Sequence, residues 1–566
     1  MLRYQNLIEA LEAAPGDRPF ITFWVDEDEQ ESVTFAEFRR RARMQSMVLR
    51  EQGAICGDRV VIIMPQGIPA MSVFAGAMML GAVPTFLAYP NEKVEPSKYR
   101  SGLAGVTSNL GAKLVVIDRE FPQDMLGCVS LTEGAALMRA GSSGESGGAV
   151  PSDIQYQSNH VAFIQHSAGT TGLQKGVALT HAAVLRQLQH LAGALQIGSE
   201  DRVYSWLPLY HDMGLIACFM LPIVCHVPVV MQSPIEWVMQ PETMLQVISE
   251  HKCTLAWMPN FAFQFVPRRT RPTRRENYDL SSLRALINCS EPVRASSMLE
   301  FRDAFAVCGL RSDALQSSYA MAENVFAVTQ SDITNAAGLS RVWADGGRFR
   351  NSHQIERVPE GTPGAVSFTS SGCLLPNQQI RIISDSGLDL ANGTVGEILV
   401  KSDCLFDGYY NRPDLTAKAV VDGWYHTGDL GFFLDAELFV VGRKKDLIIV
   451  GGENLYPQDI EEIAGSHRAI HDGRVIALGL YNPGLGTEEI LVVAEVEREE
   501  LLASAEEIER DIRAQVAAGL GVTVGTVLLK PPKWIVKSTA GKAARSTTLE
   551  KLKKENPELN IESQMV

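Results

Sequence analysis

The chain has 566 residues, more than one compact core holds and enough for about two to four domains. Hydrophobic residues make up 46% and charged residues 21%, which excludes a disordered or fibrous chain and leaves ample material for large buried cores. The net charge of −15, from 51 Lys and Arg against 66 Asp and Glu, argues against a nucleic-acid binder, which needs clustered cations facing phosphates.

The N-terminus, MLRYQNLIEALEAAPGD, carries charges where a signal peptide would need an apolar run. The nine cysteines are scattered without a CxxC pair or histidines at zinc spacing, so reduced thiols in a cytoplasmic setting are expected. From about residue 34 helical patterns alternate with short apolar strands. RVVIIMP (59–65) and AKLVVID (112–118) read as buried parallel strands of a β-α-β arrangement. Residues 68–88 contain no charge and have the length of a membrane span, but Gly76, Gly81 and Pro84 interrupt them. A buried helix ending near Gly81 and then a core strand is the expectation, with no membrane span. GSSGESGG (141–148) reads as a linker or flexible loop. Its G-x-S-x-G pattern lacks the preceding strand and following helix that a nucleophile elbow requires.

VAFIQH (161–166) reads as a strand running into SAGTTGLQKG (167–176). Gly169, Gly172 and Gly176 let the backbone turn so that several N–H groups face one anion. Ser167, Thr170 and Thr171 add hydroxyl donors, and Lys175 adds a full charge. Thr180 is placed to cap a helix whose apolar positions are Val184, Leu188, Leu191 and Leu195. The pattern is not a Walker A loop, which needs G-x4-G-K-[ST]. Further on come WLPLYHDMG (206–214), SEP (290–292), SYAMAEN (318–324), YHTGD (425–429) and GRKKD (442–446). Beyond about residue 442 the character becomes shorter α+β, with strands at 474–480 and 489–497 and a helix at 505–518. That helix places Ile508, Ile512 and Val516 on one face. A domain boundary is expected at 442–446. KSTAGK (537–542) closes the series.

HSAGTTGLQKG and the segments after it, in this order, resemble the adenylate-forming superfamily of acyl-CoA synthetases, luciferases, peptide-synthetase adenylation domains and fatty acyl-AMP ligases. The resemblance covers essentially the whole chain. It implies an α/β fold with a large N-terminal adenylation domain of layered sheets and helices (1–442), a hinge (443–446) and a small mobile α+β C-terminal domain (447–566). It implies ATP and Mg²⁺ as cofactors. Ser167, Gly169, Thr170, Thr171, Gly172 and Lys175 would hold phosphates. Ser290, Glu291, Pro292, Tyr319, Ala320 and Met321 would line the nucleotide, with Tyr319 against the adenine. Glu323 would help hold Mg²⁺, a hard cation for which one carboxylate plus phosphate oxygens suffices. Ala322 stands where many relatives carry Thr, removing one hydroxyl from the phosphates. Asp429 would accept from the ribose hydroxyls, Arg443 would contact the nucleotide, and Lys445 would occupy the hinge. Lys542 would be the catalytic lysine, and His211 would position the reacting carboxylate. Trp206, Met213 and Gly214 would border the acyl group.

The implied reaction is in-line attack of a carboxylate on the α-phosphorus with pyrophosphate leaving, catalysed by positioning and charge neutralisation. Withdrawal of Lys542 on the small domain would then admit a thiol acceptor. KDLIIVGGENLYPQDIE (445–461), the wording of LPLYHDMGL and EPV, and a long stretch between Glu323 and Gly372 resemble the fatty acyl-AMP ligase branch. In that branch an insertion, here around 340–362, is thought to restrain the small domain and disfavour CoA. The acceptor implied is the phosphopantetheine thiol of a separate acyl carrier protein, as in polyketide or lipopeptide biosynthesis. An acyl-CoA synthetase or an amino or aryl acid adenylation enzyme remains the alternative. Arg268, Arg269, Arg271, Arg274 and Arg275 read either as a solvated loop or as a docking patch for an acidic carrier protein. Trp257, Met258, Phe261, Phe263 and Phe265 fit both an apolar acyl tunnel and plain core packing.

Overall fold

A computed structural model describes residues 3–26, 28–90, 96–130, 136–139, 156–166, 175–336, 338–450, 453–482, 485–537 and 543–556. The expected parallel strands are present. Arg59–Ile63 pairs in parallel with Val83–Phe86 on one side and Leu114–Ile117 on the other, and Ala136–Arg139 closes this sheet. Both faces are covered, so Val60 through Ile63 are fully buried, which is why the run is apolar without alternation.

The uncharged stretch after it forms the helix Ile68–Met79 and then the strand Val83–Phe86, as expected, with Gly81 at φ 73° between them. A Cβ on Gly76 would lie 2.6 Å from the Ala42 carbonyl oxygen, so the glycine lets this helix cross the helix Phe35–Glu51 at close range. No helix of the described residues is long and apolar enough to cross a membrane.

Among the described residues the main sheet has 14 strands. Its parallel half runs through Pro19–Trp24, Val229–Met231, Val203–Ser205, Leu255–Met258, Ala285–Asn288 and Leu315–Ala320. From there it continues antiparallel through Ala327–Gln330, Cys373–Leu374, Glu437–Arg443, Trp424–Leu434, Gly396–Ser402 and Gln378–Ile383. Trp206 and Met321 follow directly, and Ser290 after one residue, on the carboxyl ends of parallel strands, where open α/β sheets hold their ligands. A hairpin of Val161–His166 and Gly176–Thr180 carries a third strand, Gly408–Tyr409. Thr180 Oγ1 accepts from the Ala183 amide, and Val184, Leu188, Leu191 and Leu195 are fully buried.

After the turn at Lys444–Asp446 the chain builds a second core. The strands Ile470–Asn482, Thr487–Val496 and Val524–Lys530 form a sheet with the helices Pro457–Gly465 and Ala505–Leu520 against one face and Arg545–Glu555 against the other. Ile508, Ile512 and Val516 point into this core, as the helical spacing predicts. The stretch around 340–362 forms the strand Arg341–Asp345 and the helix Gly346–Ser352. Phe349 of this helix stacks on Tyr456 at 5.3 Å, and His353 Nε2 accepts from the Asn454 side-chain Nδ2 at 2.6 Å. Arg294 Nη1 adds ion pairs to Asp459 (3.1 Å) and Glu462 (2.8 Å).

Candidate active site

Tyr319, on the last strand of the parallel half of the sheet, meets Asp429 and Arg443 from two neighbouring strands of the antiparallel half. The register of Trp424–Leu434 against Glu437–Arg443 sets Asp429 opposite Arg443, with Arg443 Nε 3.2 Å from Asp429 Oδ1. The Tyr319 hydroxyl donates to Asp429 Oδ2 at 2.6 Å. Gly428, at φ 69°, turns the strand at this point, and the Asp429 amide donates to Thr427 Oγ1 at 3.0 Å. Burial, reinforced by Asp429, holds the Tyr319 phenol well above its usual pKa, so it is a neutral donor.

Glu323 lies beside this group on the 3₁₀ turn Ala322–Asn324. The next residue, Val325, has φ 64° and ψ −55°, and the Phe326 amide donates back to the Asn324 carbonyl at 2.7 Å. This is a γ-turn of the sterically disfavoured hand at a β-branched residue, a strained conformation that only its surroundings can impose. The surroundings are the fully buried Asn324, which donates to the Ala327 carbonyl at 3.1 Å and accepts from Ser402 Oγ at 2.6 Å. The Tyr409 hydroxyl donates to Glu323 Oε1 at 2.7 Å. No group of three or more potential metal ligands occurs among the described residues. A single ordered carboxylate suits Mg²⁺, which takes one or two protein carboxylates and fills its remaining positions with phosphate oxygens and water.

Lys175 emerges from the hairpin with its Nζ 4.6 Å from the centre of the Tyr409 ring. Ser167, Gly169, Thr170, Thr171 and Gly172 lie outside the described residues, as does Lys542. His166, the last residue of the strand leading to them, is buried against Thr85 Oγ1 at 3.1 Å, and burial lowers its pKa to about 4.

On the acyl side, Trp206 stacks face to face on Trp237 at 3.5 Å, and Phe261 meets both rings edge-on at 6.2 Å. Met213 begins a π-helix, Met213–Met220, every residue of which is buried. A Cβ on Gly214 would fall 2.2 Å from the Pro208 carbonyl oxygen, so only glycine fits there. His211 Nδ1 lies 2.6 Å from Asp212 Oδ1, and the Met213 amide donates to both atoms, at 3.3 and 2.8 Å. Ser290, at φ 70°, places its Oγ 4.0 Å from Met213 Sδ and so joins this side to the segment Ser290-Glu291-Pro292. Glu291 Oε2 accepts from the Phe261 amide at 3.0 Å, so its carboxylate holds the entry to the helix Ala262–Arg269. Ala320 and Met321 continue from Tyr319 to the Glu323 turn. Of the aromatic run, Trp257, Met258 and Phe263 are core, Phe263 packing on Phe301 at 5.4 Å, while Phe261 and Phe265 face Trp237.

Lys445 sits on an exposed turn whose Asp446 pairs with Arg545 at 3.4 Å. The arginine run is less of a free patch than its wording suggests. Arg268 pairs with Glu300 (2.9 Å) and Arg274 with Glu242 (2.7 Å), while Arg275 donates to the Pro267 carbonyl and lies over Phe305. Arg269 rests on the Phe265 ring at 5.4 Å, and Arg271 is exposed. Sequence reasoning missed Tyr409, Asn324 and Trp237. Asn324 stands inside SYAMAEN with no task of its own assigned there, and Tyr409 and Trp237 lie in segments of no evident chemistry, the first marked only by its pairing with Gly176–Thr180.

The profile of the AMP-binding enzyme family matches residues 8–410. The long-chain-fatty-acid–AMP ligase FadD32 of Mycolicibacterium smegmatis is 28% identical over 91% of this chain and 88% of its own. The 4-hydroxyphenylalkanoate adenylyltransferase of Mycobacterium tuberculosis is 28% identical over 92% of this chain and 86% of its own. A structure from a study of the fatty acyl-adenylate ligases of E. coli and L. pneumophila superposes with a TM-score of 0.90 at 25% identity, over 98% of this chain and 99% of that one. The chain therefore belongs to the AMP-binding enzyme family, as an adenylate-forming ligase of the fatty acyl-AMP ligase type.

Proposed function

We propose that the protein uses ATP and Mg²⁺ to activate a carboxylic acid with an apolar body and passes the acyl group to the phosphopantetheine thiol of a separate acyl carrier protein. The observation that carries this reading is the hydrogen-bonded set Tyr319–Asp429–Arg443 beside Glu323 and Lys175, with the Trp206–Trp237–Phe261 wall on the far side of Ser290 and Met213. One side offers anions and cations for a nucleotide, the other an aromatic wall for an acyl group. The substrates named for the two relatives, a long-chain fatty acid and a 4-hydroxyphenylalkanoate, both have apolar bodies.

In this reading Asp429 accepts from the ribose hydroxyls and Arg443 stays on the nucleotide side of that carboxylate. Ser167, Thr170, Thr171 and Lys175 hold phosphates, and the attacking carboxylate enters past His211 and Gly214. Glu323 would hold Mg²⁺, which would supply positive charge against the phosphate oxygens. Lys542 approaches the α-phosphate from the C-terminal domain, and rotation about Lys445 in a hinge at 443–446 withdraws it for the second step. The contacts of Phe349 and His353 with Tyr456 and Asn454 support restraint of that rotation by the stretch around 340–362. Such restraint favours a carrier-borne thiol over free CoA.

The test is acid-dependent pyrophosphate release across alkyl, aryl and amino acids, followed by thioester formation with free CoA or holo acyl carrier protein. Adenylation of apolar acids with transfer to the carrier protein is expected. Efficient CoA thioester formation with no carrier product would overturn the choice of acceptor, and no adenylate from any acid would overturn the whole reading.

A further inference from the structure

Tyr409 holds two charged groups of opposite sign at once. Its hydroxyl donates to Glu323 Oε1 at 2.7 Å, while the ammonium of Lys175 sits 4.6 Å from the ring centre. No direct ion pair joins Lys175 and Glu323 among the described residues, although one ring separates them. A direct pair would satisfy each charge with the other, leaving neither available to a phosphate or a cation.

The backbone around the tyrosine makes the spacing rigid. Gly408 and Tyr409 pair with Ala178 and Val177, the strand that leaves Lys175, and the Tyr410 amide donates to the Gly176 carbonyl at 2.7 Å. In the same segment the Phe406 amide donates to the Glu323 carbonyl at 2.8 Å. The Tyr409 amide donates to Thr416 Oγ1 at 2.9 Å. Gly408, at φ 122°, would bring a Cβ within 3.1 Å of that same oxygen. Phe406 packs edge-on against the Tyr409 ring at 4.8 Å, and the Tyr425 hydroxyl approaches its hydroxyl at 3.4 Å. Ring and hydroxyl are thus both fixed, and the tyrosine is 4% exposed. A cation on an aromatic face is attracted without being neutralised, and a phenol orients a carboxylate without removing its charge.

We infer that Tyr409 is a positioning residue that sets the distance between the phosphate-facing cation Lys175 and the metal-facing carboxylate Glu323. The inference rests on the roles proposed above for those two residues. Its consequence is that the hydroxyl and the ring do separable work. The hydroxyl governs how tightly Mg²⁺ is engaged with the nucleotide, and the ring governs how Lys175 meets the phosphates.

The experiment is calorimetric binding of a non-hydrolysable ATP analogue across a Mg²⁺ titration, with AMP binding as a Mg²⁺-independent control. Tyr409→Phe keeps the ring and is expected to raise the Mg²⁺ concentration for half-maximal analogue binding by about tenfold, the lower end of what a hydrogen bond to a charged group supplies. AMP affinity should not change. Tyr409→Leu should add a loss of analogue affinity at saturating Mg²⁺, the same loss that Lys175→Met shows. Glu323→Gln separates the inference from its premise. If Glu323→Gln shifts the Mg²⁺ dependence and Tyr409→Phe does not, the role of Tyr409 is refuted while the metal assignment stands. If neither shifts it, the metal assignment itself is wrong.

Discussion

Replacing Asp429 by asparagine keeps the side chain's shape and one acceptor oxygen but removes its charge. The folded protein should tolerate this. Arg443, the ion-pair partner, has a side chain that is 59% exposed, so the pair contributes at most about 1 kcal/mol. The 2.6 Å bond from Tyr319 changes from charge-assisted to neutral, a loss of about 1 kcal/mol. Nucleotide binding should suffer more. Two ribose hydroxyls donating to a carboxylate are together worth about 3 kcal/mol, whereas the asparagine offers one neutral acceptor worth about 1 kcal/mol. Calorimetry with AMP and 2′,3′-dideoxy-AMP reads this directly. The wild type should prefer AMP by about a hundredfold and Asp429→Asn by about fivefold or less, with dideoxy affinity unaltered. Discrimination equal to wild type in the variant would refute the ribose assignment. An equal weakening for both nucleotides would show general damage to the site instead.

Gly214→Ala drives a methyl group to 2.2 Å from the Pro208 carbonyl oxygen, so the segment carrying Trp206 must shift. Chemical denaturation should show a loss of about 3 kcal/mol, and the KM for the acid should rise while AMP affinity holds. His166 has a pKa of about 4 in the folded protein against 6.5 when unperturbed, so between these values the unfolded chain binds a proton that the folded one does not. Its stabilising effect is complete above pH 6.5 and disappears as the pH falls towards 4, amounting to about 3 kcal/mol at most. In His166→Asn the measured fall in unfolding free energy across that window should shrink accordingly. Charge reversal at Arg269 and Arg271 should slow acyl transfer to a carrier protein about tenfold at low salt and leave pyrophosphate release unchanged. The same reversal at Arg268 and Arg274, already paired with Glu300 and Glu242, should act mainly on stability.

Segments whose chemistry is local were legible in the sequence. The strand 59–63 is apolar throughout because both its faces are covered, and the helix 68–79 ends where Gly81 permits the turn. Asp429 and Glu323 could be singled out only because YHTGD and SYAMAEN resemble segments of the family, since an isolated acidic residue after glycine is by itself usually a turn residue. Convergence could not be read, because Tyr319 and Asp429 are 110 residues apart and meet only through strand register. The π-helix at 213–220 left no signal either, since a continuous apolar run has no period to distinguish it from a buried strand or α-helix. The pairing within the arginine run was illegible for a related reason. Five like charges in sequence look like one patch, but the partners of two of them, Glu300 and Glu242, arrive from elsewhere in the chain.

The acidic residues of the site differ in what holds them, and that difference sorts their roles. Glu291 accepts from the main-chain amide of Phe261, a donor that cannot leave without breaking the entry to a helix, so its charge is committed to structure. Asp429 and Glu323 are each held by a phenol, from Tyr319 and Tyr409. Burial raises both phenols well above their usual range, so they donate hydrogen bonds but never take up the negative charge themselves. A carboxylate held this way is aimed and can exchange a phenol for a stronger ligand. In the proposed reading a ribose hydroxyl pair at Asp429 and a hard cation at Glu323 are such ligands.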